Sequence, residues 1–268
     1  MSERMNTTAI KEILLFPFRD PNWRSRFLIG AALVFVGTWI PILPLIFVVG
    51  YSLRILRQTA LGERPSLGPW DEWGRFTVDG LRGMLVALVY LLPGILVMTI
   101  GFGLYFASGL APILSESGAV PYGYGNEEVW VTTFLAAMAI MFLSMALGTA
   151  LLAVGAVPLP VALAHFAVQD KVGAAFRARE WWPLVRANAA GYFVVWVIGA
   201  GLASLLYFAQ MLVGYTIILC CLVPLVSAAG GFYLSVVAAA LFGQFYRESV
   251  GAPAAEEPPL LFDEALGG

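Results

Sequence analysis

Three long stretches without charged residues limit which folds this chain can adopt more than any other feature of the sequence. Asp, Glu, Lys and Arg are all absent from residues 83–115, 129–169 and 187–246. A helix needs about 20 apolar residues to cross a hydrocarbon core of about 30 Å. Charged residues make up only 12% of the chain, whereas soluble domains have about 25%. The sequence therefore predicts an all-α integral membrane protein.

The lengths of the apolar blocks predict how often the chain crosses. Block 83–107 suits one span, whereas block 187–245 would be about 88 Å long as one helix and must turn near 212–216. Block 129–165 is too long for one span. Its Pro158 and Pro160 are expected to end the membrane helix, because proline removes a backbone donor and clashes with the preceding turn. Block 27–50 has a turn signal at 39–44.

The distribution of basic residues predicts the orientation. All 15 Lys and Arg lie in the N-terminus, in 54–82, in 171–186 or at Arg247. Basic loops favour the cytoplasm, so block 27–50 is expected to form a hairpin that returns to its own side. The prediction is six transmembrane helices (hairpin, two single spans, hairpin) with the N- and C-termini cytoplasmic. The alternative is five spans, with 27–50 as one kinked span and the N-terminus outside.

Three segments follow from this topology. Residues 1–22 are predicted to be an N-terminal interfacial amphipathic segment, 23–248 a single polytopic membrane domain, and 249–268 a disordered acidic tail. Trp and Arg side chains near block ends are expected to anchor the protein at the membrane interfaces, because their amphipathic side chains suit that zone. These predicted anchors are Trp23, Arg54, Arg57, Trp70, Trp73, Trp130, Trp181 and Trp182.

The sequence contains little that could carry chemistry. It has no motif for catalysis or metal binding, so we expect neither an enzyme nor a metal protein. The only candidate for cofactor binding is His165, as an axial ligand or a proton-handling group; the alternative is a structural histidine with a hydrogen-bonded ring. Polar Thr99, Gln210 and Gln244 could line an intramembrane cavity or serve ordinary helix packing.

A set of short motifs resembles a known family. Residues 16–23 (FPFRDPNW), 50–57 (GYSLRILR) and 70–73 (WDEW) come first, followed near the end by Cys220-Cys221 and 241–247 (LFGQFYR). Together they resemble the prokaryotic membrane family called domain of unknown function 4013, over about residues 10 to 248. The resemblance implies a prokaryotic cell membrane and supplies no catalytic residues.

Two functions follow as hypotheses. The first is a multi-pass scaffold or accessory subunit in the cell (cytoplasmic) membrane that packs with other membrane proteins or with itself. The second is a transporter or handling protein for small molecules or lipids, with an intramembrane cavity. The expected partners are membrane lipids and a membrane protein or a second copy. Cofactors and nucleic acid are not expected.

Overall fold

The computed structural model describes residues 7–40, 42–116, 127–215 and 220–251. This part of the chain folds into α-helices, two 3₁₀ turns and connecting loops, without a β-strand. The helices are α1 Thr7–Leu15, α2 Trp23–Gly37, α3 Leu43–Ala60, α4 Trp73–Glu116, α5 Glu127–Ala156, α6 Leu159–Gln169, α7 Val172–Ala175, α8 Ala178–Ala187, α9 Ala189–Tyr215 and α10 Val223–Val250. The 3₁₀ turns are Phe16–Phe18 and Cys220–Leu222.

Two compact units divide the chain, one from Met1–Met84 with Pro160–Gly268 and the other from Leu85–Leu159. The second unit is an antiparallel pair formed by α5 and the later part of α4. A Cβ atom at Gly94 would lie 2.8 Å from the Gly148 carbonyl oxygen. At the far end, the Trp130 indole donates to the Ser108 carbonyl at 3.2 Å. Small residues therefore let these two backbones approach closely.

Two predicted interruptions are present. The α5 helix ends at Ala156 and α6 begins at Leu159, so the helix is interrupted beside Pro158, which lacks a backbone N–H. The block 187–245 is likewise divided into α9 and α10, and α9 ends at Tyr215. The α4 helix continues to Glu116, nine residues beyond the predicted span.

Helices α2 and α3 form an antiparallel hairpin, as predicted for block 27–50. Leu45 packs against Gly37 beside the turn. At the other end, the Phe232 ring of α10 contacts Phe27 of α2 and Tyr51 of α3, with centroids 5.3 and 6.0 Å apart. The α2 helix has 15 residues and is about 22 Å long. It is therefore shorter than the hydrocarbon core of about 30 Å.

The buried core of the first unit forms around Tyr51 of α3. Its ring stacks on Trp70 at 4.1 Å, and its hydroxyl donates to the Gly68 carbonyl at 2.9 Å. The Trp70 indole donates to the Arg26 carbonyl at 2.9 Å, and Phe232 of α10 closes the cluster. The loop after α3 is therefore fixed against the hairpin by aromatic packing and by satisfied polar groups.

Helix α1 packs on the protein. Ile13 and Phe16 are buried, and the Tyr233 hydroxyl of α10 donates to the Leu14 carbonyl at 3.0 Å. A helix was expected within residues 1–22, and α1 is that helix. Ile13 of this helix faces the protein, whereas Leu15 is exposed, and the interfacial position of residues 1–22 stays a prediction.

Within the described residues, four helical segments are long and apolar enough to cross a membrane: Trp73–Leu114, Glu127–Gln169, Ala189–Tyr215 and Val223–Val250. Large apolar side chains cover much of the exposed surface of α5 and α9, including Leu143, Val154 and Leu205, each about 70% exposed. Such a surface would promote aggregation in water and suits lipid. The architecture is that of an α-helical membrane protein. The six-span count and the sidedness of the termini stay predictions.

Candidate functional site

A polar cluster surrounds His165, the only histidine of the chain. His165 lies on α6 and is buried. Its Nδ1 is 2.7 Å from the Tyr246 hydroxyl of α10, and its Nε2 is 3.0 Å from a carboxylate oxygen of Glu180 on α8. The side-chain nitrogen of Gln169 lies 2.8 Å from the same Nε2. One side chain thus connects α6, α8 and α10.

The partners of the two ring nitrogens limit the tautomer of His165. A carboxylate only accepts hydrogen bonds, so the contact with Glu180 favours a proton on Nε2. In a neutral ring of that tautomer, Nδ1 accepts from the Tyr246 hydroxyl. The hydrogen bond with His165, and after it the Arg177 guanidinium 3.2 Å away, hold the pKa of Glu180 below its ordinary value. Because both ring nitrogens are engaged, the geometry agrees with a structural histidine, and cofactor ligation would require breaking this cluster.

Arg54 and Arg57 of α3 line a cavity of about 320 Å³, which we call the arginine cavity. Arg54 donates to the Pro69 carbonyl at 3.3 Å, and its guanidinium lies 5.8 Å from the centre of the Phe76 ring. The cavity also contains charged side chains from neighbouring elements: Glu63, Glu72, Arg75, Asp79 and Asp170. Arg54 and Arg57 therefore face other charged groups of the protein, and their role as interfacial anchors stays a prediction.

The predicted polar cavity residues of the first unit do not meet. Gln244 lines a cavity of about 470 Å³ with Arg19 and Arg247, and it donates to Glu248 at 2.8 Å. Gln210 lines a separate, largely apolar cavity of about 350 Å³ near the end of α9. The two glutamines therefore line different cavities, and an intramembrane polar cavity stays a prediction. Thr99 is in the second unit and is exposed.

Two of the predicted tryptophan anchors are core residues. Trp70 is buried in the aromatic cluster of the hairpin. Trp181 is 2% exposed and donates to the Ala175 carbonyl at 3.0 Å. Each indole N–H has found a backbone acceptor, which removes the usual cost of burying it. Both side chains are therefore part of the protein core, and their role as interfacial anchors stays a prediction.

The other four predicted tryptophan anchors are partly exposed. Trp73 and Trp182 are about 40% exposed, and Trp23 and Trp130 are partly exposed. Trp182 also lies beneath the guanidinium of Arg186, 5.6 Å from it. These four side chains can still reach an interface.

Glu180 and Tyr246 were not identified from the sequence as members of a site. A buried histidine needs partners for both ring nitrogens, which was a signal that such residues exist. Their positions in the sequence, 15 and 81 residues from His165, gave no means of choosing them. In the part of the chain that the structure describes, no group of three or more His, Cys, Asp or Glu side chains could hold a metal ion.

Long apolar helices with large exposed apolar side chains define an α-helical membrane protein. The chain belongs to the family described as Protein of unknown function (DUF4013), whose model matches residues 33–215. The matched region starts in α2 and ends with α9. It includes His165 and Glu180 and stops before Tyr246. No curated protein and no solved structure matches the chain.

Proposed function

We propose that this protein is a non-catalytic membrane scaffold or accessory subunit that packs against another membrane-spanning helix through α9. The observation that carries the proposal is the open face of α9 around Gly201. A Cβ atom added at Gly201 would have no atom of another described helix within 4 Å. Ala200 and Ser204 are exposed beside it. Small residues at such spacing let helix backbones approach closely in a membrane.

Glycines elsewhere in the chain support this interpretation. Gly94 and Gly148 bring α4 and α5 together, and Gly243 of α10 lies directly against the backbone of Leu56 on α3. In each case the missing side chain makes room for a neighbouring helix. No described residue fills the corresponding space beside Gly201 on α9, which favours a partner helix from a second copy or from another membrane protein.

The test uses the full chain, purified with its native lipids in a mild detergent. Two differently tagged copies are co-expressed to detect self-association, and co-purifying membrane proteins are identified in parallel. Gly201→Leu with Ser204→Leu is expected to abolish the association without unfolding the chain, since the space is open. Ala146→Leu, on the exposed surface of α5, is the control. A monomer without partners, or an association unchanged by the double substitution, would refute the proposal.

For the topology, we propose cytoplasmic termini and an α2–α3 hairpin that enters and leaves the bilayer on the cytoplasmic side. About 17 Å of helix separates Arg26 from the end of α2, and a similar length separates Leu43 from Arg54. The hydrocarbon core is about 30 Å thick. These lengths favour a re-entrant hairpin beside four full spans, whereas the six-span prediction requires the tip to reach the far surface.

Labelling with a membrane-impermeant maleimide separates these topologies. Thr38→Cys is placed at the hairpin tip, in a background with both native cysteines replaced by alanine. A re-entrant hairpin predicts no labelling at residue 38 in intact cells, whereas Ser117→Cys in the predicted outer loop is labelled. Labelling at residue 38 would support six spans. Access to an N-terminal tag from outside would support the five-span alternative.

A further inference from the structure

Helix α8 has two chemically different faces. Trp181 and Val185 point into the protein and are buried, whereas Arg179, Trp182 and Arg186 are exposed. The exposed residues are spaced by three and four positions, which places them on one side of a helix. The outward face therefore combines two arginines with one indole.

The orientation of α8 is fixed by contacts on its buried side. Trp181 donates to the Ala175 carbonyl, and the Glu180 carboxylate contacts the imidazole of His165. His165 is in turn bound to Tyr246 of α10. Rotation of α8 about its axis would break these contacts, so the arginine face is presented in one direction only.

Because the Glu180 carboxylate is engaged by His165 and Arg177, it does not pair with the arginines of the outward face. The two carboxylate oxygens of Glu180 contact His165 and Arg177. The other nearby carboxylate, Asp170, pairs with Arg82 at 3.6 Å. Arg179 and Arg186 have no acidic neighbour among the described ion pairs, and Arg186 rests on the Trp182 ring. Among the described residues, therefore, no carboxylate forms an ion pair with either positive charge of this face.

The sequence places this face beside the membrane. Only Asn188 separates α8 from α9, and α9 is one of the helices long and apolar enough to cross. Arg186 is thus within one helical turn of a membrane-crossing helix. A position near the end of a membrane-crossing helix corresponds to the headgroup region of the bilayer. Aromatic rings and basic side chains contact lipid phosphates in that region.

We propose that the outward face of α8, formed by Arg179, Trp182 and Arg186, is a binding site for anionic phospholipid headgroups. The two guanidinium groups bind the headgroup phosphate, and the indole lies at the boundary with the acyl chains. Bidentate hydrogen bonding by arginine suits a phosphate better than the point charge of lysine does. This site is separate from the proposed α9 contact, so either proposal can fail alone.

The experiment uses native mass spectrometry of the full chain in detergent, titrated with phosphatidylglycerol or phosphatidylcholine. Wild-type protein is expected to bind phosphatidylglycerol more tightly, with an affinity that falls as salt rises. Arg179→Gln with Arg186→Gln is expected to weaken this binding about 30-fold, from about 1 kcal/mol per basic residue. Binding of phosphatidylcholine is expected to be unchanged.

The matched control is Arg19→Gln with Arg75→Gln, which removes the same charge from two other exposed positions. It is expected to retain phosphatidylglycerol binding. Trp182→Leu, with both arginines kept, is expected to weaken binding to a smaller degree. Wild-type affinity in the Arg179/Arg186 variant, an equal loss in the control, or no preference for the anionic lipid would each overturn the proposal.

Discussion

The His165–Tyr246 hydrogen bond gives a quantitative prediction about stability. Both residues are buried, and the bond is 2.7 Å long. Replacing His165 by leucine removes the bond, worth about 1 kcal/mol, and leaves the Tyr246 hydroxyl buried without that partner, at a cost of about 1–3 kcal/mol. Leucine has a similar volume, so the cavity term is small. The expected loss in the free energy of unfolding is about 2–4 kcal/mol.

A double-mutant cycle isolates this bond from other effects. Tyr246→Phe alone leaves the His165 ring without its buried partner and is expected to cost about 1–2 kcal/mol. In the double variant both positions are apolar, and neither leaves an unmatched polar atom. The double variant is therefore expected to be less destabilised than the sum of the single variants by about 1–2 kcal/mol. The exposed carboxylate of Glu180 contributes little, because water competes for it.

The assay is reversible unfolding in mixed micelles as the SDS fraction rises, followed by tryptophan fluorescence. His165→Gln serves as a comparison, since its amide can still bind Tyr246 and should preserve part of the stability. The reasoning is refuted if the two single substitutions are additive within about 0.5 kcal/mol. It is also refuted if His165→Leu changes the unfolding free energy by less than that amount.

Three further predictions use the same unfolding assay. Gly243→Ala is expected to destabilise the protein by about 1–3 kcal/mol, because a Cβ would lie 2.5 Å from the Leu56 carbonyl oxygen; Gly231→Ala, with only an ordinary contact, should be neutral or stabilising by up to about 1 kcal/mol. Ile42 has φ 83°, so Ile42→Gly is expected to stabilise by about 1 kcal/mol, and a loss of stability would contradict strain at this turn. The pKa of Glu180 is lowered in the folded state, chiefly by its hydrogen bond with the imidazole; its contribution is therefore present above its ordinary value of 4.5 and is lost as pH falls through the folded pKa. The stability difference between wild type and Glu180→Gln should shrink below that pH, and a difference that grows would contradict the assignment.

The sequence predicted the features of the fold that have local causes. The interruption beside Pro158 has a local cause, because the missing N–H and the ring clash act within one turn; Pro93 and Pro112, by contrast, lie inside the continuous helix α4. The turn after Gly37 could be located for the same kind of reason. Block length and charge together then predicted a hairpin for 27–50, and α2 and α3 form one.

Whether a tryptophan is buried in the protein or exposed could not be predicted from its neighbours in the sequence. An indole suits both a membrane interface and a protein core, provided that its N–H has an acceptor. Trp70 finds its acceptor on Arg26, 44 positions earlier, and Trp181 finds one on Ala175, six positions away. The residues around Trp70 and Trp181 in the sequence fit either an interfacial or a buried tryptophan. Only the tertiary contacts distinguish a core tryptophan from an anchor.

The partners of His165 in the polar cluster were even harder to predict from the sequence. His165 was noticed because it is the only histidine, and a hydrogen-bonded ring was one of the alternatives. Its partner Tyr246 lies outside the apolar block that contains His165, in the last helix of the chain. Nothing in the local sequence pairs α6 with α10. The candidate residue was therefore predictable, and its chemistry was not.

The position of α10 at the end of the chain has a consequence for biosynthesis. Phe232 covers Tyr51, and the last helix also binds the first through Tyr233 and Leu14. At 5–20 residues per second, roughly 10 to 35 seconds pass between synthesis of Tyr51 and of Phe232. During that interval the helices before α10 have been synthesised, but the core that they share with α10 is incomplete. A chain that stops before α10 thus leaves the hairpin aromatics uncovered, as a recognisable substrate for quality-control proteases.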